Sequence, residues 1–461
     1  MKKTRIEKDF LGELEVPAEA YFGIQTLRAV KNFPISGLRM PPIFNRACAE
    51  IKKAAALVHR DMGVLKTEVA EAIAGAADEV IEGRFEDQFV VDVFQAGAGT
   101  SCHMNVNEVL ANRASELLGG RRGQYRPVHP NDHVNMGQST NDVFPTAMRL
   151  SALMSLPDLV IELRRLSSEL KMKAEAFADI AKSGRTHLQD AAPVTLGQEF
   201  SGYAAAVLQG SDHLDRQMSP LRKLGIGGSA TGTGLNTYPG YRQRIVARLS
   251  EQTGIELFPA DNLFEAMQSM APFVRVSGAL RTVAVELGRI SNDLRLLSSG
   301  PTTGLGEIHL PAVQPGSSIM PGKLNPVIAE CMNMICFQVI GNDTCIVQAA
   351  GAGQLELNVM MPVINYNLLW SIQILTNGVR MLRERCIEGI EPDRDRCTAY
   401  FASTLGLATV LNPVIGYHRT AELAREALTA GKSIRDLILE KGLLTEEELD
   451  RLLNKSLGGN D

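Results

Sequence analysis

Apolar residues recur at helical spacing along much of this chain, and the clearest run predicts one long helix. Val276, Leu280, Val283, Leu287, Ile290, Leu294 and Leu297 follow one another in alternating steps of four and three. Such a stripe belongs to a long helix seated against parallel or antiparallel neighbours, and its plainest reading is a buried bundle helix. A second run, Leu159, Leu163, Leu166, Leu170, Phe177 and Ile180, falls between Pro157 and Pro193 and keeps largely the same rhythm. A third long segment covers 326–357, and shorter amphipathic helices are expected at 45–60 and 65–81. Three long helices from one chain leave much apolar face uncovered, so burial against further copies of the chain is expected. After Gly389 the pattern shortens, and the closing segment TEEELDRLLNK starts on Thr445 as an N-cap. The expected organisation is mainly α: a mixed N-terminal region 1–140, a long-helix centre 141–389 and a small helical region 390–461.

Composition agrees with packed helices rather than sheet, since 45% of the 461 residues are hydrophobic but only 5% are aromatic. A net charge of -5 gives no basic field for nucleic acid or anionic membrane. Seven scattered cysteines without a CxxC pair indicate neither a zinc ribbon nor a disulfide framework. Glu7 and Asp9 stand where a signal peptide needs an apolar core, and no apolar run approaches the roughly 20 residues that span a bilayer. A cytoplasmic protein is the expectation.

Two glycine-rich stretches invite a nucleotide reading and fail it. In GSSIMPGKLNPVIAE (316–330), five residues rather than four separate Gly316 from Gly322, and Leu324 follows Lys323 where a P-loop needs Ser or Thr. In GIGGSATGTG (225–234), Gly225, Gly227 and Ala230 fit G-x-G-x-x-A, but the preceding QMSPLRKL is a poor strand. A loop between two helices is expected there.

Three further polar clusters stand out: GAGTS (97–101), GQSTND (137–142) and GRTHLQD (184–190). Each has a structural reading. Thr100 and Ser101 can cap a helix beginning near His103, while Ser139, Thr140 and Asn141 can cap one after Pro145. His187 can be a satisfied core histidine. Together with the 316–330 loop they suit another role, because a carboxylate ligand wants several neutral donors and one cation. Thr100, Ser139, Thr140, Asn141, Thr186, Ser318 and Asn325 supply the donors, and Lys323 the charge. A metal fits worse, since carboxylates are sparse and no His/Cys ligand spacing is present.

GSSIMPGKLNPVIAE resembles the signature loop of the aspartase/fumarase superfamily. GAGTSCHMNVNEVLANRA, HVNMGQSTNDVFPTAM, GRTHLQDAAPVTLGQEF and AGQLELNVMMPV match that family's other segments in order, over nearly the whole chain. The resemblance implies three mostly helical domains with the central helices of four subunits in one bundle. It also implies active sites drawing clusters from three chains, a small dicarboxylate substrate, and no cofactor. The implied reaction is elimination beside a carboxylate to give fumarate. Thr140 in QSTND, the NPVIAE ending, ILTNG and LLSSGP resemble the branch that deaminates L-aspartate by β-proton abstraction through an aci-carboxylate. VNEVLANRASELLGG and HPND resemble the fumarate-hydrating branch, which is the alternative beside an N-substituted aspartate. His103 stands where the family usually has Asn, Thr302 and Thr303 fall where it has an arginine, and Met361 replaces a glutamate. By resemblance Ser317 is the base, helped by Lys323 and the loop's own N–H groups. Gly316 and Gly322 are its hinges. His187 and Lys323 complete the catalytic set, with Glu330 supporting His187.

Overall fold

The computed structural model describes residues 3–458. An antiparallel hairpin, β1 (Thr4–Asp9) and β2 (Gly12–Pro17), opens the chain, paired from Thr4↔Pro17 to Asp9↔Gly12. Helices α1 (Ile24–Asn32), α2 (Pro42–Asp61), α3 (Thr67–Ile81), α4 (Thr100–Leu117) and α5 (Thr140–Ala176) follow. A second antiparallel hairpin joins β3 (Ala181–Thr186) to β4 (Gln189–Thr195), leading into α6 (Leu196–Gln217). Then come α7 (Tyr241–Thr253), α8 (Leu263–Gln268), α9 (Ala271–Leu297), α10 (Val327–Gly351) and α11 (Met361–Arg385). Five short helices close the chain: α12 (Arg394–Ser403), α13 (Leu407–Ile415), α14 (Tyr417–Ala430), α15 (Ile434–Glu440) and α16 (Glu446–Leu457).

The chain divides into two compact units with interleaved segments: 1–160, 212–282 and 337–376 form one, and 161–211, 283–336 and 377–461 the other. In the first, α2 packs on α3, α4 and α7. Its apolar face, with Phe44, Ala47, Ile51, Ala54 and Ala55, is closed to solvent. In the second, Leu407, Leu411, Leu423, Ile434, Leu437, Ile438, Leu449 and Leu453 make the core of the C-terminal helices. The capping expectation at Thr445 holds: its Oγ1 accepts the Glu448 N–H while Glu448 accepts the Thr445 N–H, a reciprocal box. Thr445→Ala is expected to remove about 1 kcal/mol from α16, read as faster amide hydrogen exchange at Leu449 with no change elsewhere.

The stripe on α9 is buried at every position from Val276 to Leu297. The second stripe resolves differently. α5 starts before Pro145 and runs straight through Pro157. A mid-helix proline lacks the N–H and frees a carbonyl, but Leu153, Leu156, Leu159 and Val160 around it are all buried, and packing outweighs the lost bond. The helix ends at Ala176. Phe177 and Ile180 continue the buried stripe from a turn, and the polar run beyond them forms the β3–β4 hairpin rather than more helix. No single helix among the described residues is long and apolar enough to cross a membrane, and all seven cysteines are free.

Candidate active site

Two helix N-termini meet in the first unit. α4 begins at Thr100 and α5 at Thr140, and the Thr100 and Thr140 hydroxyls lie 3.2 Å apart. The approach is set by Gly99, the residue before α4. Its φ of +93° suits glycine, and a Cβ there would lie 2.2 Å from the Phe144 ring of α5. Helix N-termini offer unpaired N–H groups and positive dipole ends, which suit an anion. Ser139 caps α5 by accepting the Asn141 N–H at 3.2 Å, as expected for that cluster, but the helix starts five residues before Pro145. Thr100 is the first residue of α4 rather than its cap, and its hydroxyl donates to the Gly97 carbonyl at 2.6 Å. Asn141 donates one amide N–H to the Ala230 carbonyl at 2.8 Å, which leaves Oδ1 as its acceptor. Beside this end, Thr100 and Ser101 line a cavity of about 440 Å³ shared with Arg28, Met104 and Asn131.

Behind the hydroxyls lies a buried polar chain. Lys52, fully buried on α2, places Nζ 2.6 Å from His103 Nε2, 2.9 Å from Asn135 Oδ1 and 2.9 Å from Gln138 Oε1. His103 Nδ1 lies 2.8 Å from the Thr140 hydroxyl. Burial draws the Lys52 amine down to about 7. Burial, then the Lys52 charge, hold His103 well below its ordinary range. Asp142, fully buried, accepts from the N–H groups of Ser139, Gly227 and Ser229, pinning the glycine-rich loop to α5; burial raises it to about 6. The loop lies between a two-residue strand, Lys223–Leu224, paired with Phe258–Pro259, and α7, rather than directly between two helices as its sequence suggests.

The second unit carries the other candidates in two places. Thr186 and His187 sit at the tip of the β3–β4 hairpin, where Thr186 pairs with Gln189 and the two loop residues His187 and Leu188 have φ of +55° and +59°. Such two-residue turns favour Asn-Gly, because left-handed backbone strains other residues by about 1 kcal/mol each. His187 is exposed, so the core-histidine reading fails. The hairpin is anchored from below. Lys182 contacts Glu199 and Glu307, each at 2.7 Å; Arg185 reaches Glu307 at 2.9 Å; and the Ser183 hydroxyl meets that of Thr404 at 2.8 Å.

The second place is the 316–325 loop. Gly316 N–H donates to the Lys323 carbonyl at 2.8 Å and Asn325 Nδ2 to the Gly316 carbonyl at 2.6 Å, so the loop closes on itself. A Cβ on Gly316 would stand 2.5 Å from the Lys323 oxygen. Within this ring the Ser317 hydroxyl accepts the backbone N–H groups of Ile319 (3.2 Å) and Met320 (3.0 Å). Two donors aimed at one oxygen stabilise negative charge on it. Ser318 and Lys323 are exposed beside it, and Glu330 lies in the first turn of α10. Among the described residues no hydrogen bond or ion pair joins Glu330 to His187. Sequence reasoning missed Lys52, Lys182 and Glu307, which carry no motif and are marked only by burial; Asp142 and Arg185 fall inside the GQSTND and GRTHLQD clusters but received no role there.

Comparison with known proteins adds a separate line. A family model described as lyase matches residues 12–341, and one described as the fumarase C C-terminus matches 407–456. The aspartate ammonia-lyase of Bacillus subtilis (strain 168) is 49% identical over 453 residues, covering 98% of this chain and 95% of that protein. A class II fumarate hydratase of Thermosynechococcus vestitus is also 49% identical, covering 98% and 97%. Among solved structures, a fumarate lyase:delta crystallin from Brucella melitensis bound to cobalt superposes with a TM-score of 0.95 at 49% identity, over 98% of this chain and 99% of that one. The class II fumarase from Schistosoma mansoni gives a TM-score of 0.95 at 39% identity, over 99% and 100%.

Proposed function

The chain belongs to the aspartase/fumarase lyase family, and from that premise we propose that it reversibly deaminates L-aspartate to fumarate and ammonia. The observation that carries the mechanism is the Ser317 hydroxyl held between two backbone N–H groups. A free hydroxyl is a feeble base, and those donors, with the Lys323 charge, favour its alkoxide once the loop shuts out water. The alkoxide takes a proton from the carbon beside the β-carboxylate. The electron pair moves onto that carboxylate as a dianionic aci-carboxylate, then returns to form the double bond as the C–N bond breaks and ammonia leaves.

Donors aimed at the developing charge supply the largest part of such catalysis, several kcal/mol in comparable sites. Thr100, Ser139, Thr140 and Ser318 are assigned to that carboxylate, the first three from the paired helix ends. Thr186, His187, Lys323 and Asn325 take the α-carboxylate, and Asn141, through its Oδ1, and His187 take the ammonium. Glu330 is assigned to orient His187 from another copy of the chain. Exposed apolar residues on the long helices, among them Val285, Leu296, Met334 and Phe337, support a homotetramer that brings clusters from different copies together. On this reading 1–140, 141–389 and 390–461 are its domains, and the enzyme is cytoplasmic.

The equally similar fumarate hydratase gives hydration of fumarate to L-malate as the second reading. Incubation with fumarate and ammonium, followed by chromatography, separates them. Accumulating L-aspartate is the expected result; malate without aspartate overturns the choice of branch.

A further inference from the structure

We infer that Lys52, acting through His103, fixes the Thr140 hydroxyl as a hydrogen-bond donor toward the substrate carboxylate. The inference rests on the assignment of Thr140 to that carboxylate. Its basis is a count of donors and acceptors in a buried chain. Lys52 Nζ has three partners within 2.9 Å, and two of them, the amide oxygens of Asn135 and Gln138, only accept. An ammonium has three N–H bonds, so the third goes to His103 Nε2. A neutral His103 accepting at Nε2 carries its proton on Nδ1, which lies 2.8 Å from Thr140 Oγ1. Thr140 then accepts from the ring, and its own O–H points outward, toward Thr100 or a ligand. Thr100 has its single proton on the Gly97 carbonyl and accepts readily.

Removing one proton from Lys52 reverses the two bonds that run through His103. A neutral amine keeps two N–H bonds for the two amides and turns its lone pair to His103. The ring then carries Nε2–H and accepts at Nδ1, so Thr140 donates inward. Its lone pairs are left facing the carboxylate. One protonation event thus changes a donor into an acceptor at the site, without moving a heavy atom.

The groups around this chain are few. Cys48 lies on the same helix, His103 comes from α4 and Asp142 from α5; the last lies near enough to favour the lysine charge. From the other helices packed on α2, Asp78 of α3 pairs with Lys53, and Tyr241 of α7 feels Asp142. Burial is the largest influence on Lys52 and lowers its proton affinity, so the amine loses its charge as pH rises. The sign follows: a dicarboxylate binds more weakly at alkaline pH.

The test is the affinity of succinate, an unreactive C4 dicarboxylate, measured by titration calorimetry on the intact protein between about pH 6 and pH 9, with Asp142 and the ligand's own carboxyls ionising near the lower limit in wild type and variants alike. Wild type is expected to lose about tenfold in affinity across that range, the size of one charge-assisted hydrogen bond. His103→Asn places an amide N–H within reach of Thr140 but has no second ring nitrogen to report the state of Lys52, so its profile loses that slope. His103→Leu, which neither donates to nor accepts from Thr140, loses the slope as well and at about pH 9 binds no more weakly than wild type. Lys52→Met is the harsher variant; if it does not fold, the two His103 variants decide. Other ionisable groups of the site are common to wild type and His103→Asn and cancel in the comparison. An unchanged slope in His103→Asn overturns the inference alone. Failure of wild type to bind succinate at any pH overturns the carboxylate site itself, and the inference with it.

Discussion

Ser317→Ala is expected to lower kcat by about 10²–10⁴ while KM stays within a few-fold, the loss typical of a positioned general base. The substitution removes one oxygen from an exposed loop, and the two N–H groups it leaves, of Ile319 and Met320, are hydrated at no cost to folding. The ring closed by Gly316–Lys323 and Asn325–Gly316 is made without the serine side chain, so the loop persists. Substrate binding assigned to the helix ends of α4 and α5 is untouched. The split between kcat and KM therefore separates a base from a binding group. A variant with wild-type kcat contradicts the assignment.

The second large effect lies away from the chemistry. Glu307 is fully buried and faces Lys182, whose side chain is 1% exposed, and Arg185. Glu307→Ala leaves two cations sharing what remains, with Glu199 alone on Lys182. Breaking a buried pair by removing one partner costs about 3 kcal/mol or more, because the surviving charge stays desolvated. A marked fall in the thermal denaturation midpoint is expected. A fall in kcat/KM should accompany it, since these residues hold the strands that carry Thr186 and His187. Glu286→Ala is the control: its pair with Arg289 is exposed at both ends and should be nearly neutral. Equal midpoints for the two variants would show that the cluster does not support the hairpin.

What the sequence discloses depends on how each feature is stabilised. The α9 stripe is legible because a buried face repeats with the helix period, and every predicted position is buried. The passage of α5 through Pro157 is not, because local propensity says stop and only surrounding apolar packing overrules it. The β3–β4 hairpin is hidden likewise: His187 and Leu188 occupy a turn that normally asks for Asn-Gly, so no turn signal is present. The candidate site reads well where polar residues and glycines cluster in short segments, as in the 316–325 loop. It reads badly at Lys52. A KK pair suggests a solvated face, yet successive helix positions differ by about 100°, so Lys53 reaches Asp78 at half-exposed positions while Lys52 is sealed against His103. His103 shows only as a departure from the family pattern, and its meaning appears once its two ring nitrogens are seen to join a lysine to a threonine.

The most direct test of the central claim is the formation of fumarate, followed by its ultraviolet absorbance, when purified protein is given L-aspartate or L-malate in parallel. The account predicts fumarate from L-aspartate with equimolar ammonia, formed about 10²–10⁴ times more slowly by Ser317→Ala. Fumarate from L-malate alone, with no ammonia released from aspartate, would contradict it.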